Sequence, residues 1–124
     1  MSWKENFKEG KELILATCSK SRNPNANIVI SLGFIDNRLL IADCQMRTTI
    51  ENLKENKKIV VIGGYYRIIG SVEIFASGKY FNICAEKNKG YKVKNAILVD
   101  IEKVFDLNKQ KILFDKTPSS KLRH

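Results

Sequence analysis

Arg47, Thr48 and Thr49 follow an apolar segment, and Glu51 stands two positions further on. Thr48 and Glu51 have the spacing of a capping box, in which each side chain accepts from the other residue's backbone amide at a helix start. Such a cap is worth about 1 kcal/mol to the helix. It leaves Arg47 and Thr49 without a role. A helix N-terminus presents free amides and a partial positive charge, which suit a phosphate. Arg47 could add a forked donor and Thr49 a hydroxyl. From residue types alone, a plain cap and an anion site both stay open.

Other chemistries find little support. The single histidine, His124, is the last residue, so neither a histidine-based triad nor a histidine-ligated metal is expected. Cys18, Cys44 and Cys84 are odd in number, lack a C-x-x-C pair and lie in or beside apolar segments. They read as small hydrophobes in a reducing, cytoplasmic compartment, without a disulfide scaffold or a metal site. Neither a G-x-G-x-x-G run nor a P-loop occurs. Asp36 and Asp43 stand at strand ends and suit turns, so the catalytic residues are unknown. Tyr65, Tyr66 and Arg67 offer an alternative from another class: a small basic barrel that stacks single-stranded nucleic acid.

The elements that must position these residues are legible from periodicity. The 124 residues carry a net charge of +9, scattered over both halves, which favours anionic ligands without choosing among them. One domain, 1–124, is expected, with 118–124 as a flexible tail and no signal peptide or membrane span. "SWKENFKEG" reads as a short helix capped by Ser2, with Trp3 and Phe7 on one face. Strands are expected at "ELILATCS", "ANIVISLGFID", "RLLIADC", "KIVVIGGYY", "RIIGSVEIFAS" and "NAILVDIEKVFDL". Helices are expected from Thr49 to Asn56 and within "GKYFNICAEKNKG", where Tyr80, Ile83 and Cys84 form an apolar stripe. Asp36-Asn37 suits a tight hairpin turn, Gly63, Gly64 and Gly70 suit bends or bulges, and Lys111–Phe114 suits a short edge strand.

The second strand alternates informatively. Ala26, Ile28, Ile30, Leu32 and Phe34 share one face, while Asn27, Val29, Ser31, Gly33 and Ile35 share the other. The second face carries no Lys, Arg or Glu. It suits either a surface that a flat group approaches or a barrel interior. Six strands joined mostly by short turns point to a small antiparallel barrel.

In order and spacing, "LATCSKSRNPNANIVISLGFIDNRLLIADC", "MRTTIENLKENKKIVVIGG", "YRIIGSVEIFASGKYF" and "VKNAILVDIEKVFDL" resemble the small FMN-binding split barrels related to pyridoxamine 5'-phosphate oxidase. The resemblance runs from about Leu13 to Leu107. It implies a mainly β fold, a six-stranded antiparallel split barrel with short flanking helices, and a homodimer with flavin mononucleotide (FMN) at the interface. It further implies that the ring and ribityl chain lie along Asn27, Val29, Ile30 and Ser31, and the phosphate at Met46, Arg47, Thr48 and Thr49. The implied activity is FMN-dependent oxidation–reduction or electron transfer with an unidentified small molecule or redox protein. Deazaflavin and haem remain open within the same superfamily. The family often has a lysine where this chain has Thr48, so Arg47 would supply the charge. The oxidase's arginine-rich carboxy-terminal segment is missing, so vitamin B6 oxidation is not implied.

Overall fold

The Ser2 hydroxyl accepts from the Lys4 amide at 3.2 Å and opens a 3-10 helix, Trp3–Phe7, whose Phe7 ring is buried in the core. The computed structural model describes residues 2–117; the expectation of a flexible tail at 118–124 lies outside the described residues.

Strand β1 (Glu12–Cys18) alternates as its sequence dictates, burying Leu13, Leu15 and Thr17 while Ile14 faces out. It pairs antiparallel with β2 (Pro24–Ile30), where Pro24 sits at the first position of an edge strand and costs the ladder nothing central. The sheet then runs β2-β1-β5-β6-β7-β4-β3, with β3 at Phe34–Ile35, β4 at Arg38–Asp43, β5 at Lys58–Gly63, β6 at Tyr66–Phe75 and β7 at Asn95–Asp106. Strand β8 (Lys111–Asp115) adds to β7, as the apolar run there foretold.

The strand count is therefore eight rather than six. The expected second strand divides at Ser31–Gly33, where the chain leaves β1 and joins β4. Ser31 N still bonds Lys11 O at 2.8 Å, whereas Leu32 N already bonds Leu40 O at 3.0 Å. Gly33, with φ +88, makes the change of partner possible.

The barrel splits along β7. Strand β4 pairs with it up to Val99, and β8 takes over at Lys103. Because β7 is covered on both faces, Ala96, Ile97, Leu98 and Val99 are all fully buried. Ile97 and Val99 join the main core with Leu15, Ile41 and Ile68, while Ala96 and Leu98 join a second cluster with Leu40 and Cys84. Helix α2 (Lys79–Lys87) supplies Cys84 to that cluster, with Tyr80 and Ile83 packed against it. Each buried Leu, Ile or Val among them contributes roughly 1.5–3 kcal/mol of burial.

Asp36 and Asn37 have φ of 51 and 63, the positive pair that a two-residue hairpin requires. Gly70 lies at a register shift against β7; a Cβ there would stand 2.4 Å from the Asp100 carbonyl oxygen. The β5–β6 turn is Gly64-Tyr65, so Tyr66 belongs to β6 and not, as its sequence segment suggested, to β5. Helix α1 (Arg47–Glu55) likewise begins two residues before the expected Thr49 and ends one before Asn56.

Candidate functional site

The earlier start of α1 removes the expected capping box. Met46 is the N-cap residue and no side chain caps the helix. Thr48 now lies inside the first helical turn and is exposed, while Glu51 makes a 3.9 Å contact with Arg47 one turn away. The loop is secured instead from β4. The Asp43 carboxylate accepts from the Met46 amide at 2.8 Å and from Asn95 Nδ2 at 2.7 Å, and its carbonyl accepts from Lys94 N at 2.8 Å. Sequence reading placed Asp43 at a turn; the structure makes it the buried pin of this loop.

Beside that pin lies an open cavity of about 520 Å³, lined by Gln45, Met46, Arg47, Ile50 and Glu51 around the α1 start, by Asp43 itself, and by Lys94 and Asn95 at the start of β7. The Arg47 side chain is 92% exposed, and the long contact with Glu51 is the one ion pair it makes among the described residues. Lys94 forms no ion pair among the described residues. It was missed in the sequence, where it is one lysine among many; buried Val93 between Lys92 and Lys94 is the only local signal.

Thr49 takes another part. Its side chain is buried, and its hydroxyl donates to Asn27 Oδ1. Asn25 Nδ2 donates to both, at 2.9 Å to Asn27 and 3.1 Å to Thr49. One turn on, Asn52 Nδ2 donates to Thr17 Oγ1 at 3.1 Å, so polar pairs hold α1 against β1 and β2. The polar face of β2 thus looks into the barrel beneath α1. Val29 is buried in the main core, whereas Ile28 and Ile30 project outward at 68% and 51% exposure. Ser31 is fully buried; its hydroxyl donates to Phe7 O at 2.6 Å and accepts from Gly33 N at 2.9 Å.

Of the residues expected to hold a cofactor, then, Met46 and Arg47 line the cavity and Thr48 stands exposed beside them. Asn27 and Thr49 bond each other, Val29 packs the core, Ile30 faces out and Ser31 is locked to the amino-terminal segment. First-turn amides lack intrahelical acceptors, and with Arg47 and Lys94 they offer donors to a phosphate. Of the two carboxylates lining the cavity, Asp43 is engaged by Met46 N and Asn95 Nδ2 and Glu51 lies by Arg47. The Thr49 hydroxyl is not part of that donor set.

Outward from the sheet, Ile28, Ile14, Ile62, Arg67, Phe105 and Ile112 are cross-strand neighbours in one row over six strands. Tyr65 is 72% exposed at its turn, but Tyr66 packs on the core and the Arg67 guanidinium lies over the Phe105 ring. The three do not form a common stacking surface. The cysteines are free thiols, and burial, with Cys44 adding to it, pushes the Cys84 thiol up to about 11. No group of three His, Cys, Asp or Glu residues is placed to hold a metal among the described residues, and no helix there is long and apolar enough to cross a membrane.

The model of the pyridoxamine 5'-phosphate oxidase family matches residues 3–108. The chain belongs to this family. It is 28% identical over 111 residues to an uncharacterized protein of Methanocaldococcus jannaschii, covering 80% of this chain and 74% of that one. Among solved structures it is similar to HupZ of Group A Streptococcus, with a TM-score of 0.73 and 20% identity over 83% of this chain and 90% of the other. It is also similar to an FMN-binding protein of Syntrophomonas wolfei, with a TM-score of 0.66 and 19% identity over 82% and 79% of the two chains. An F420 reductase gives a TM-score of 0.66 and 16% identity over 86% and 98%. At these identities the structural likenesses establish the fold, the antiparallel FMN-binding split barrel.

Proposed function

We propose that the protein is a homodimeric, cytoplasmic flavoprotein that binds FMN and serves as an oxidoreductase or electron carrier for a small molecule or redox protein. Its family membership supports a flavin-type cofactor. The observation that carries the FMN reading is the cavity at the α1 N-terminus, which Arg47 and Lys94 both line beside first-turn amides that lack intrahelical acceptors.

In this reading Arg47 and Lys94 hold the phosphate dianion, and Met46 and Ile50 give the apolar wall beside it. Bound flavin supplies the redox chemistry; the chain's part is to hold and orient it. The dimer is supported by the outward row, in which Ile14 and Ile112 are 43% and 40% exposed alongside Ile28. A contiguous apolar face of this kind marks a protein contact.

A visible spectrum of freshly purified protein, followed by titration of the apoprotein with FMN and riboflavin, tests the reading. A flavin band pair and tighter binding of FMN than riboflavin are expected. Colourless protein that leaves FMN fluorescence unchanged overturns it.

A further inference from the structure

Strand β7 changes edge partners part-way along: β4 pairs with it up to Val99, and β8 from Lys103. Where the two part, a cleft of about 610 Å³ opens, within the range of small-molecule sites. Asp100 and Ile101 line it from β7 itself, Phe34 and Asn37 from the β3–β4 hairpin, and Leu113, Phe114 and Lys116 from the β8 side. Trp3 and Lys4 of the 3-10 helix complete it. Solvent reaches its walls, since Leu113 and Phe114 are 38% and 42% exposed.

The cleft lies on the other face of β8 from the outward row. Phe114 stands opposite Val104, which belongs to the main core, whereas Ile112 stands opposite Phe105. None of its residues lines the α1 cavity either. It is therefore separate from both the flavin reading and the dimer contact.

Its aromatic walls are fixed by the fold. Trp3 is braced edge to face against Phe7 and Phe34, with ring centroids 5.8 and 6.1 Å away, a geometry that such rings prefer. The Lys4 ammonium lies 5.8 Å from the centroids of both Trp3 and Phe34. Asp100 is paired with Lys116 at 2.7 Å, while Lys4 forms no ion pair among the described residues, so the cleft carries one net positive charge. Residues 118–124 would bring Lys121 and Arg123 and no acidic side chain, so like charges oppose their entry.

We propose that this cleft binds a planar, fused-ring aromatic monoanion. Its ring system packs among Trp3, Phe34 and Phe114, and its negative charge lies at Lys4. Burial of the rings supplies most of the affinity, and the exposed ammonium selects the charge.

Naphthoate is a suitable probe, with naphthamide as its uncharged counterpart. Trp3 is the one tryptophan of the chain, so its indole N–H gives a single nitrogen–proton NMR resonance in the full-length protein. Naphthoate should shift this resonance saturably and bind more tightly than naphthamide. Phe114→Ala, which removes a half-exposed ring, should weaken naphthoate roughly tenfold. Lys4→Gln should weaken it only about threefold, because the ammonium is solvated, and bring it level with the amide. A Trp3 resonance unmoved by naphthoate, equal binding of naphthoate and naphthamide by the wild type, or unchanged binding by Phe114→Ala overturns the proposal. A resonance that moves on protein dilution or in Leu122→Ser, and not with naphthoate, gives the cleft to a second copy or to residues 118–124, and overturns it equally. FMN added last should leave naphthoate bound; displacement overturns the cleft as a second site. Failure of FMN to bind bears on the α1 cavity alone.

Discussion

Thr49 on α1 donates its hydroxyl to Asn27 on β2, and Asn25 donates to both. The bond ties helix to edge strand side chain to side chain, each backbone being engaged within its own element. Thr49→Val keeps the shape but leaves the two asparagines short of a partner. It should lower stability by about 1–3 kcal/mol, read from chemical denaturation, with FMN affinity nearly unchanged. Weakened FMN binding at an unchanged midpoint would place the hydroxyl on the ligand instead.

Arg47→Ala should weaken FMN by about one to two decades, the value of one charge-assisted contact. Riboflavin lacks the phosphate, so its affinity should hardly respond. Lys94→Ala should behave in the same way. Fluorescence titration of both ligands checks this; equal losses for FMN and riboflavin would move the phosphate elsewhere.

Ile28→Lys should dissociate the dimer without unfolding the protomer. The side chain is 68% exposed in the isolated chain, so a change there should cost the protomer only about 0.5 kcal/mol. A lysine buried at an interface is far more costly. Sedimentation velocity at micromolar concentration should show a dimer for the wild type and a monomer for the variant.

Gly70→Ala should destabilise the fold by about 2–4 kcal/mol. The added methyl would meet the Asp100 carbonyl oxygen at 2.4 Å and Val99 at 3.0 Å, in the longest strand pairing of the sheet. Thermal unfolding gives the measurement, and an unchanged melting temperature would show that β6 and β7 can separate freely at the bulge.

Cys84 should make stability fall at alkaline pH. Burial raises its thiol from the ordinary 9.0 to about 11. Between those values the folded state holds a proton that the unfolded state releases, so stability is full below the unfolded value and declines as pH rises from about 9 to about 11. Cys84→Ala should flatten this part of the profile in denaturant titrations. The same shift should leave Cys84 unmodified by thiol reagents near neutral pH in the native protein.

Local chemistry was legible wherever neighbours in sequence decide it. The alternation of Leu13, Leu15 and Thr17 marked β1, the Asp36-Asn37 pair marked a positive-φ turn, and the apolar run at Lys111–Phe114 marked β8. The order of these segments was enough to indicate the family and the split barrel. Ser2 could be assigned as a cap because its partner, Lys4, is two residues away. The capping box at Thr48 failed to a competitor that is also local: the Asp43 carboxylate, three residues before Met46, holds the loop, and the helix begins sooner.

The sequence by itself determined most of the strands, the Asp36-Asn37 turn, the stripe on α2 and a cation beside a helix start, but not the break at Ser31–Gly33. Which face of β2 turns inward was decided only by closure of the sheet, since a period of two separates two faces without saying which one α1 will cover. Closure also brought Thr49 to Asn27, placed Lys94 and Arg47 around one cavity, and set Arg67 over Phe105 in an otherwise apolar row. Asn27 and Thr49 are 22 positions apart and Arg47 and Lys94 are 47 apart, while Arg67 is placed by the β5 and β7 pairings on either side of β6. Their physical reason is the same: the antiparallel ladders fix which residues stand opposite each other, and no local preference encodes a register between segments so far apart.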